Sequence, residues 1–285
     1  PPILTCPPDI DIQCATNLSP PYATYAEFVA AGGNAVDNNE ISLTSFAFVN
    51  TVISNQTCPN RYTITRTYRI EDLSGNSDQC EQIINVDDQT PPVITGSIFE
   101  STIEGCTSSA APAPVTTVAG LEALGLSIND VCTPDADLII TSTDDAQGTC
   151  PIIITRTYTI TDACGNYSTY DQIININDQT PPVITGSIFE STIEGCTSSA
   201  APAPVTTVAG LEALGLSIYD VCTPDADLDV TSTDDVQGTC PIIITRTYTV
   251  TDACGNSTTY DQIISIDDQT PPEINGSIPE TTVVG

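Results

Sequence analysis

The feature that most constrains the fold is an internal repeat of 90 residues. Segments that begin at Ile84, Ile174 and Ile264 read INVDDQTPPVI, ININDQTPPVI and ISIDDQTPPEI, and a Pro-Pro pair also opens the chain at Pro1. Internal repetition has to be read before any other pattern, because each copy is one structural unit. A unit of this length is enough for one small domain with a modest core.

Three units of this length fit the chain. Residues 91–180 and 181–270 differ at nine positions without a gap, whereas residues 1–90 have diverged but keep the tetrapeptide TRTY in register. We therefore predict three domains, at 1–90, 91–180 and 181–270, and interpret 271–285 as the start of a fourth repeat. The three complete segments are called repeats 1, 2 and 3 below.

The charge balance excludes several classes of function. The chain has 37 acidic residues against five arginines, with no lysine and no histidine, and its formal net charge is −32. Such a charge repels phosphate backbones and anionic membranes, so we expect no nucleic-acid partner. No apolar run approaches the ~20 residues of a spanning helix, so we expect no direct membrane insertion. Without histidine, lysine or tryptophan, little is left to support catalysis, and we expect no enzymatic activity.

Repeat 2 shows the secondary-structure pattern most clearly. Its segment CPIIITRTYTITDACGNYSTYDQIININD (150–178) contains two runs rich in Ile, Thr and Tyr around a turn with Asp, Gly and Asn. PPVITGSI, FESTIEGC and DADLIITSTDD are further strand candidates, whereas TTVAGLEALGLSI (116–128) has the leucine spacing of a short helix. About seven short strands per repeat predict an all-β fold of tandem immunoglobulin-like β-sandwich domains, each with a short helical crossing.

Several motifs also occur in the same order in successive repeats. The Pro-Pro opening, STDD followed by GTCP, RTYT(I/V)TDACGN and the closing DDQTPP resemble the HYR and Ig-like tandem repeats of very large surface proteins of Bacteroidetes-type bacteria, including gliding-motility adhesins. The resemblance covers all three repeats. It implies an extracellular, cell-anchored adhesin or filament that is exported by the type IX route. Repeat 1 departs from the pattern, with EDLSGN (71–76) in place of TDACGN and with extra cysteines at Cys6 and Cys80.

Cysteine usage predicts disulfide-stapled domains. Each repeat contains four of the twelve cysteines, and even counts without metal-type CxxC pairs indicate disulfides and an oxidising, extracellular compartment. Repeat 1 lacks the counterparts of both Cys132 and Cys164, and two cysteines missing together suggest partners. The expected pairs are Cys6–Cys80, Cys14–Cys58, Cys106–Cys150, Cys132–Cys164, Cys196–Cys240 and Cys222–Cys254.

Acidic residues are expected to gather where one repeat meets the next. In an immunoglobulin-like domain the hairpin of the last two strands lies at the pole nearest the N-terminus, so the TDACGN turn should face the exit of the preceding repeat. The expected Cys132–Cys164 bond would hold NDVCTPDAD (129–137) at the same pole. The candidate residues are Asp87, Asp88, Asp130, Asp135, Asp137 and Asp162 at the first junction, and Asn177, Asp178, Asp220, Asp225, Asp227 and Asp252 at the second.

Carboxylates in such groups repel one another unless they are protonated, well solvated or bridged by a cation. Oxygen ligands without nitrogen or sulfur suit Ca²⁺, which takes about six to eight of them. The exit motif also resembles the cadherin linker pattern DxNDNxP, in which calcium stiffens successive domains. Ca²⁺ is therefore the candidate cofactor. The alternative is a solvated loop face, with Asp and Asn serving turns and prolines stiffening the linker.

Two further pairs of residues carry expectations. Arg156 and Arg246 are the only cations of their repeats, and we expect each to form a structural ion pair or to stack on an aromatic ring. Tyr170 and Tyr260 are expected to pack in the domain rather than to form a sugar-binding platform.

Together these observations predict a structural repeat segment of an extracellular adhesin, stalk or filament that projects from the cell surface. Its partners would be other repeats of the same chain or fibre. The alternative is a carbohydrate- or ligand-binding accessory module of a secreted protein, which needs an aromatic or polar platform on one sheet face. A third hypothesis is lateral polymerisation through sheet edges or donated strands, with 271–285 as a strand awaiting a neighbour.

Overall fold

The computed structural model describes residues 1–277, and within them each repeat contains six β-strands and one short α-helix. Repeat 1 consists of β1 (Ile3–Thr5), β2 (Ile10–Ile12), α1 (Tyr25–Ala30), β3 (Asn34–Val36), β4 (Ile41–Cys58), β5 (Arg61–Asp72) and β6 (Ser77–Asp87). Repeat 2 consists of β7 (Val93–Gly96), β8 (Ser101–Glu104), α2 (Val118–Ala123), β9 (Leu126–Asn129), β10 (Ile139–Gln147), β11 (Ile152–Thr161) and β12 (Tyr167–Asn177). Repeat 3 consists of β13 (Val183–Gly186), β14 (Ser191–Glu194), α3 (Val208–Ala213), β15 (Leu216–Tyr219), β16 (Asp229–Gln237), β17 (Ile242–Thr251) and β18 (Ser257–Asp267). Most of the expected fourth repeat, from residue 278 onward, lies outside the described residues.

In every repeat the strands form one two-stranded and one four-stranded sheet. The four-stranded sheets have the orders β2-β6-β5-β4, β8-β12-β11-β10 and β14-β18-β17-β16. The two-stranded sheets pair β1 with β3, β7 with β9 and β13 with β15, all antiparallel. In repeats 1 and 3 the first strand of the large sheet runs parallel to the last, with Ile10 opposite Ile84 and Ser191 opposite Ile264. The all-β, immunoglobulin-like sandwich class is confirmed, with six strands per repeat rather than seven.

The short helix connects the large sheet to the small one. In repeat 2 the hydroxyl of Thr117 caps α2 by accepting a hydrogen bond from the Gly120 backbone N–H at 3.1 Å. Leu121 is fully buried, whereas Leu126, which the leucine pattern placed in the helix, belongs to β9. Gly125 ends the helix at a φ of +113°, and a Cβ there would lie 2.6 Å from a backbone oxygen, so only glycine fits.

Side chains of the helix and both sheets form the core of each sandwich. In repeat 2 this core contains Val118, Leu121, Leu126, Ile128, Leu138, Ile140, Tyr158 and Ile160, and repeat 3 has the corresponding set. Strand alternation explains the selection, because every second residue of β11 and β17 points inward. The predicted strand runs of repeat 2 are therefore confirmed.

One buried position of β11 and β17 is occupied by arginine. The Arg156 guanidinium, 3% exposed, donates two hydrogen bonds of 2.8 Å to the Asp144 carboxylate and one of 2.8 Å to the Pro112 carbonyl. The guanidinium lowers the pKa of Asp144, and Asp144 in turn raises the pKa of Arg156. Arg246 and Asp234 form the same pair in repeat 3. The predicted structural ion pairs are confirmed.

Four of the five disulfides differ from the expected pairs. Cys6–Cys80 joins two residues of repeat 1, as expected. The others join successive repeats, namely Cys14–Cys132, Cys58–Cys164, Cys106–Cys222 and Cys150–Cys254. Cys196 and Cys240 are exposed free thiols among the described residues. The expected pairs Cys14–Cys58, Cys106–Cys150, Cys132–Cys164, Cys196–Cys240 and Cys222–Cys254 are therefore wrong.

The reason for this correction lies in the repeat itself. Cys132 and Cys164 do not bond to each other, because each bonds to a cysteine of repeat 1, Cys132 to Cys14 and Cys164 to Cys58. Their Cα atoms lie 5.1 and 5.2 Å from those of Cys14 and Cys58, within the range that a disulfide requires. The joint absence of two cysteines from one repeat is therefore consistent with bonds to a neighbouring repeat as well as with a bond between the two cysteines.

The described chain forms two compact units whose limits differ from those of the repeats. The first contains Pro1–Ser101, Pro112–Ala146 and Ile154–Ile174. The second contains Thr102–Ala111, Gln147–Ile153 and the residues from Asn175 onward. Each unit therefore holds one complete repeat, part of repeat 2 and two of the disulfides between repeats.

Candidate metal centres at the repeat junctions

Three aspartates from two repeats meet at the first junction. Asp88, Asp130 and Asp162 each place a carboxylate oxygen within 4.8 Å of the other two. Each residue directly follows a strand, β6, β9 or β11, so three strand ends supply the group. Asp88 is 0% exposed, Asp162 is 2% exposed and Asp130 is half-buried. We call this group the first aspartate cluster.

The second junction has the same arrangement 90 residues later. Asp178, Asp220 and Asp252 directly follow β12, β15 and β17, and their carboxylate oxygens also lie within 4.8 Å of one another. All three residues are buried, with exposures of 2%, 8% and 6%. We call this group the second aspartate cluster. It lies in the second compact unit, whereas the first cluster lies in the first unit.

The DACGN motif fixes one carboxylate of each cluster. Asp162 Oδ1 accepts hydrogen bonds from the backbone N–H groups of Cys164 and Asn166, both at 2.8 Å, and Oδ2 accepts one from the Asn166 side-chain amide at 2.7 Å. Asp252 makes the same three bonds in repeat 3. Gly165, at a φ of +89°, allows the chain to reverse within five residues. The motif is thus a hairpin turn that holds its own aspartate rigidly.

The DVCT loop fixes the second carboxylate in the same way. Asp130 Oδ1 accepts hydrogen bonds from the backbone N–H groups of Cys132 and Thr133 at 2.9 and 2.7 Å. The buried Thr133 hydroxyl accepts a further bond from the Ala163 backbone N–H at 3.2 Å, which ties this loop to the DACGN turn. Asp130 and Asp162 are therefore held at one end of repeat 2 by hydrogen bonds within that repeat.

Repeat 1 closes the first junction with polar contacts as well as disulfides. The Asn166 side-chain amide donates to the Asp88 carbonyl at 3.1 Å, and the Asn60 side-chain amide donates to the Cys132 carbonyl at 3.1 Å. The Arg61 guanidinium donates to the carbonyls of Asp88 and Cys164 at 2.7 and 3.4 Å. At the second junction the Asn256 amide donates to the Asp178 carbonyl at 3.0 Å.

Each cluster contains buried carboxylate oxygens without a hydrogen-bond partner among the described residues. They are the Oδ2 atoms of Asp88, Asp130, Asp178 and Asp220. Burial raises the pKa of Asp88, and the charges of Asp162 and Asp130 raise it further. The pKa of Asp178 is also raised, first by burial, then by contact with Glu104 and by the charges of Asp220 and Asp252. A buried carboxylate without a partner is costly, so these oxygens are candidates for cation binding.

The donor set fits calcium. All six side chains present oxygen, and a Ca²⁺ ion with bonds of about 2.3–2.6 Å can be shared by oxygens up to about twice that distance apart. The observed limit of 4.8 Å between ligand atoms lies within this span. Four of the oxygens are free of hydrogen bonds, so a cation could bind them without displacing any bond of the turns.

The other six expected ligands lie outside the clusters. Asp87 forms an ion pair with Arg61 at 2.8 Å, which lowers the pKa of Asp87. Asn177 is the last residue of β12. The remaining four are exposed residues of the loops after the DVCT motif, Asp135, Asp137, Asp225 and Asp227. These four fit the alternative of a solvated loop face, because they follow Thr133 and Thr223 and lie outside the buried pole.

Sequence reasoning missed the residues that complete the junctions. Asn166 and Asn256 each bridge an aspartate to the preceding repeat, and their signal was available, since every repeat has Asn directly after the Gly of this turn. Glu104 accepts bonds from Thr180 Oγ1 at 3.0 Å and from the Gln179 backbone N–H at 3.1 Å, next to Asp178. Its position could not be inferred, because it depends on the pairing of β8 with β12, two strands that lie far apart in the sequence.

The tyrosines proposed as packing residues do pack. The Tyr170 ring lies against the core of repeat 2, and its hydroxyl accepts a hydrogen bond from the Ile98 backbone N–H at 2.8 Å. Tyr260 and Ile188 repeat this contact at 2.9 Å. Both rings are therefore committed to the domain rather than presented as a platform.

Comparisons with known proteins return only structural likenesses. No family model matches the chain, and no curated protein does. A protocadherin gammaB7 EC3-6 cis-dimer structure is 14% identical, with coverage of 91% of this chain and 72% of that chain and a TM-score of 0.31. Mouse cadherin-23 EC22-24 is 11% identical, with coverage of 94% and 99% and a TM-score of 0.29. Drosophila N-cadherin EC1-4 is 13% identical, with coverage of 91% and 73% and a TM-score of 0.22. Because these TM-scores do not establish a shared fold, the fold class rests on the sheets described above.

Among the described residues, no helix has the length and apolar character needed to cross a membrane.

Proposed function

We propose that this chain is a structural repeat segment of an extracellular adhesin, stalk or filament that projects from a cell surface, and that Ca²⁺ at the two aspartate clusters fixes each repeat to the next. One observation carries the proposal. Each cluster takes its carboxylates from two successive repeats and is accompanied by two disulfides between the same repeats. The chemistry is thus concentrated where repeats are joined.

Composition supports the extracellular part of the proposal. Disulfides persist in oxidising compartments, and ten of the twelve cysteines are bonded. The order of the motifs supports a HYR and Ig-like adhesin of a Bacteroidetes-type bacterium, with gliding motility and type IX export as the associated biology. The near-identity of repeats 2 and 3 suits a spacer, because reach depends on the number of copies rather than on a unique surface.

Calcium would act on a defined electrostatic problem. The Oδ2 atoms of Asp88 and Asp130, and those of Asp178 and Asp220, would hold the ion together with the carboxylates of Asp162 and Asp252. A bound divalent cation supplies the charge that these buried groups lack. Since each cluster bridges two repeats, binding would stabilise the junction rather than either repeat alone.

Calcium titration of the metal-free full chain tests the proposal. We expect two sites, with dissociation constants on the order of 10⁻⁴–10⁻³ M as in other extracellular modules. At about 100 times the dissociation constant, one site contributes about 2.7 kcal/mol to the free energy of unfolding. Calorimetric titration gives the number of sites, and thermal unfolding gives the stabilisation.

Matched variants assign the sites. Asp88→Asn and Asp178→Asn should each remove one site, whereas Asp135→Asn, which changes an exposed acid of a nearby loop, should remove none. Small-angle scattering with and without calcium tests whether the flexibility between successive repeats changes when calcium binds. Calcium binding that is absent, or that survives both cluster variants, would show the proposal to be incorrect.

A further inference from the structure

One face of repeat 3 has the same local structure as the junction face of repeat 2. It consists of Glu194, Cys196, Cys240 and Asp268, and we call it the open face. Glu194 accepts hydrogen bonds from the Gln269 backbone N–H at 3.1 Å and from Thr270 Oγ1 at 3.0 Å. Asp268 Oδ1 accepts one from the Thr270 backbone N–H at 3.0 Å. The carboxylates of this face are therefore held in place by its own backbone.

The corresponding face of repeat 2 is already covered by a neighbour. There Glu104 accepts hydrogen bonds from Gln179 at 3.1 Å and from Thr180 at 3.0 Å, and Asp178 accepts one from Thr180 at 3.0 Å. These distances equal those of the open face. The binding geometry of the open face is thus preformed, because the same bonds are present with and without a covering repeat.

Exposure shows what the open face lacks. Asp178 is 2% exposed, because the loops that contain Asp220 and Asp252 cover it, whereas Asp268 is exposed. Cys106 and Cys150 of repeat 2 are bonded to these loops through Cys222 and Cys254. Their counterparts, Cys196 and Cys240, are exposed free thiols.

We propose that the open face binds one further repeat unit of the same kind as repeats 2 and 3, through two specific disulfides. Cys196 would bond to the cysteine of that unit's DVCT loop, and Cys240 to the cysteine of its DACGN turn. Both existing junctions have this pattern, in which Cys14 and Cys106 bond to the first type of loop and Cys58 and Cys150 bond to the second.

The pattern also defines which unit is rejected. A unit like repeat 1 has no cysteine at the position of Cys132 and Cys222, and it has Ser74 where the others have Cys164 and Cys254. It can form neither disulfide. The repeat that binds must therefore have one cysteine and one aspartate in its DVCT loop and one of each in its DACGN turn.

Each new bond is a two-electron oxidation. Two thiols lose two protons and two electrons, and one molecule of a low-molecular-weight disulfide such as glutathione disulfide takes these electrons and becomes two thiols. Two bonds consume two such molecules. The approach brings the Asp268 carboxylate to two loop carboxylates, so we expect formation of the bonds to depend on a divalent cation; this dependence, but not the pairing, rests on the proposed function.

A four-repeat chain tests the pairing. A second copy of residues 181–270 is inserted after Thr270 in the full chain, and the inserted copy carries Val221→Ile and Ala253→Ser as mass tags at exposed positions. After oxidation with glutathione disulfide, non-reducing peptide mapping should link the Cys196 peptide to the tagged Cys222 peptide and the Cys240 peptide to the tagged Cys254 peptide. Residues 1–285 without the inserted copy should show two alkylatable thiols, at Cys196 and Cys240.

A matched variant keeps the test decisive. Cys196→Ser with Cys240→Ser in the four-repeat chain should free the thiols of both tagged loops, so that alkylated thiols rise from two to four per chain. Bonds between the two tagged cysteines of the inserted copy, or between Cys196 and Cys240, would overturn the proposal. Mapping in metal-free buffer and in calcium separates the outcomes, because correct pairing without any cation effect contradicts only the proposed function.

Discussion

The two aspartate clusters have the same three carboxylates but different surroundings. Around the first, the Arg61 guanidinium contacts the carbonyls of Asp88 and Cys164, and the side chain of Gln13 opposes the rise in the pKa of Asp88. Around the second, Pro151 occupies the sequence position of Arg61, and Glu104 contacts Asp178 and raises its pKa. Gln13 and Glu104 are counterparts, as the strand register of repeats 1 and 3 shows, since Ile10 and Ser191 occupy equivalent positions.

The difference shows two ways to balance buried negative charge. The first junction contains the Arg61 guanidinium, and it has the side-chain amide of Gln13 where the second junction has the carboxylate of Glu104. The second has a further carboxylate, and the single arginine of each adjoining repeat is paired elsewhere, with Asp144 or Asp234. We therefore expect the second junction to depend more strongly on an external cation than the first.

Removal of the junction disulfides should have the largest effect. We compare a variant with Cys14, Cys58, Cys132 and Cys164 changed to serine with a second variant that has Cys106, Cys150, Cys222 and Cys254 changed to serine. Each bond closes a loop of more than one hundred residues, from 104 to 118, for which the chain-entropy model gives about 4.7 kcal/mol. The second bond of a junction should contribute less, because the first already restricts the same segment.

Denaturant unfolding in metal-free buffer measures both variants. The loss should be larger at the second junction, because the first retains the contacts of Arg61. Cys6→Ser with Cys80→Ser is the control, since this bond lies within one repeat and should leave both junctions intact. Equal losses at the two junctions would show that Arg61 contributes nothing to the first.

Exchange of the differing side chains should have an intermediate effect. Glu104→Gln makes the second junction resemble the first, and Gln13→Glu does the reverse. We expect Glu104→Gln to weaken calcium binding at the second junction a few-fold and to raise the melting temperature of the metal-free protein, because one repulsive charge next to Asp178 is removed. Gln13→Glu should strengthen calcium binding at the first junction and lower the metal-free melting temperature.

Calorimetric titration and thermal unfolding of both variants check this prediction. Glu104 is the last residue of β8, Gln13 directly follows β2, and neither belongs to the hydrophobic cores, so both variants should fold. Glu100→Gln, at an exposed acid of the loop before β8, serves as the control for net charge. Effects of equal size in Glu104→Gln and Glu100→Gln would mean that position relative to Asp178 is irrelevant.

Acidification of the metal-free protein should have the smallest effect. The pKa values of Asp88 and Asp178 are raised in the folded state, so the cost of burying their charges is present at neutral pH and is relieved as they are protonated. The free energy of unfolding should therefore rise as pH falls from neutral towards the ordinary aspartate pKa of about 3.9. At pH values below about 3.9 the free energy of unfolding should decrease again. In that range the aspartates whose pKa values are lowered lose their charge, namely Asp72, Asp87, Asp144 and Asp234.

Thermal unfolding between pH 7 and pH 3 tests the sign. The whole chain loses negative charge over this range, so the contribution of the clusters is the difference between the native chain and its variants. Asp178→Asn should remove more of the rise than Asp88→Asn, because Glu104 adds to the shift of Asp178 and Gln13 opposes that of Asp88. Identical pH profiles of the native chain and both variants would contradict the assignment.

Much of the fold could be predicted from the sequence because it depends on local patterns. Alternation in the Ile-Thr-Tyr runs gave β11 and β12, Thr117 and the leucines gave α2, and the five residues of DACGN gave the turn between strands. Leu126 was misassigned to the helix because the glycine that ends it, Gly125, acts through a positive φ and a close backbone approach. The positive φ and the close approach depend on the tertiary structure, and they leave only a weak signal in the neighbouring sequence.

The cysteine pairs could not be derived because the repeat is translationally symmetric. A bond between two positions of one copy and a bond between the same positions of successive copies leave the same pattern in the sequence. Joint absence of two cysteines from repeat 1 therefore could not distinguish Cys132–Cys164 from a pair of bonds to the preceding repeat. Only the proximity of Cys132 to Cys14 and of Cys164 to Cys58 decides it.

The sequence by itself determined the length of the unit, its β-rich class, its acidic character and its dependence on bonded cysteines, because each of these follows from the order and the composition of the residues without knowledge of which ones meet in space. The tertiary structure alone decided that Asp88, Asp130 and Asp162 are buried together while Asp135 and Asp137 remain exposed. The physical reason is that a carboxylate is buried or solvated according to which strand ends of two different repeats meet, and that meeting is fixed by packing over tens of residues.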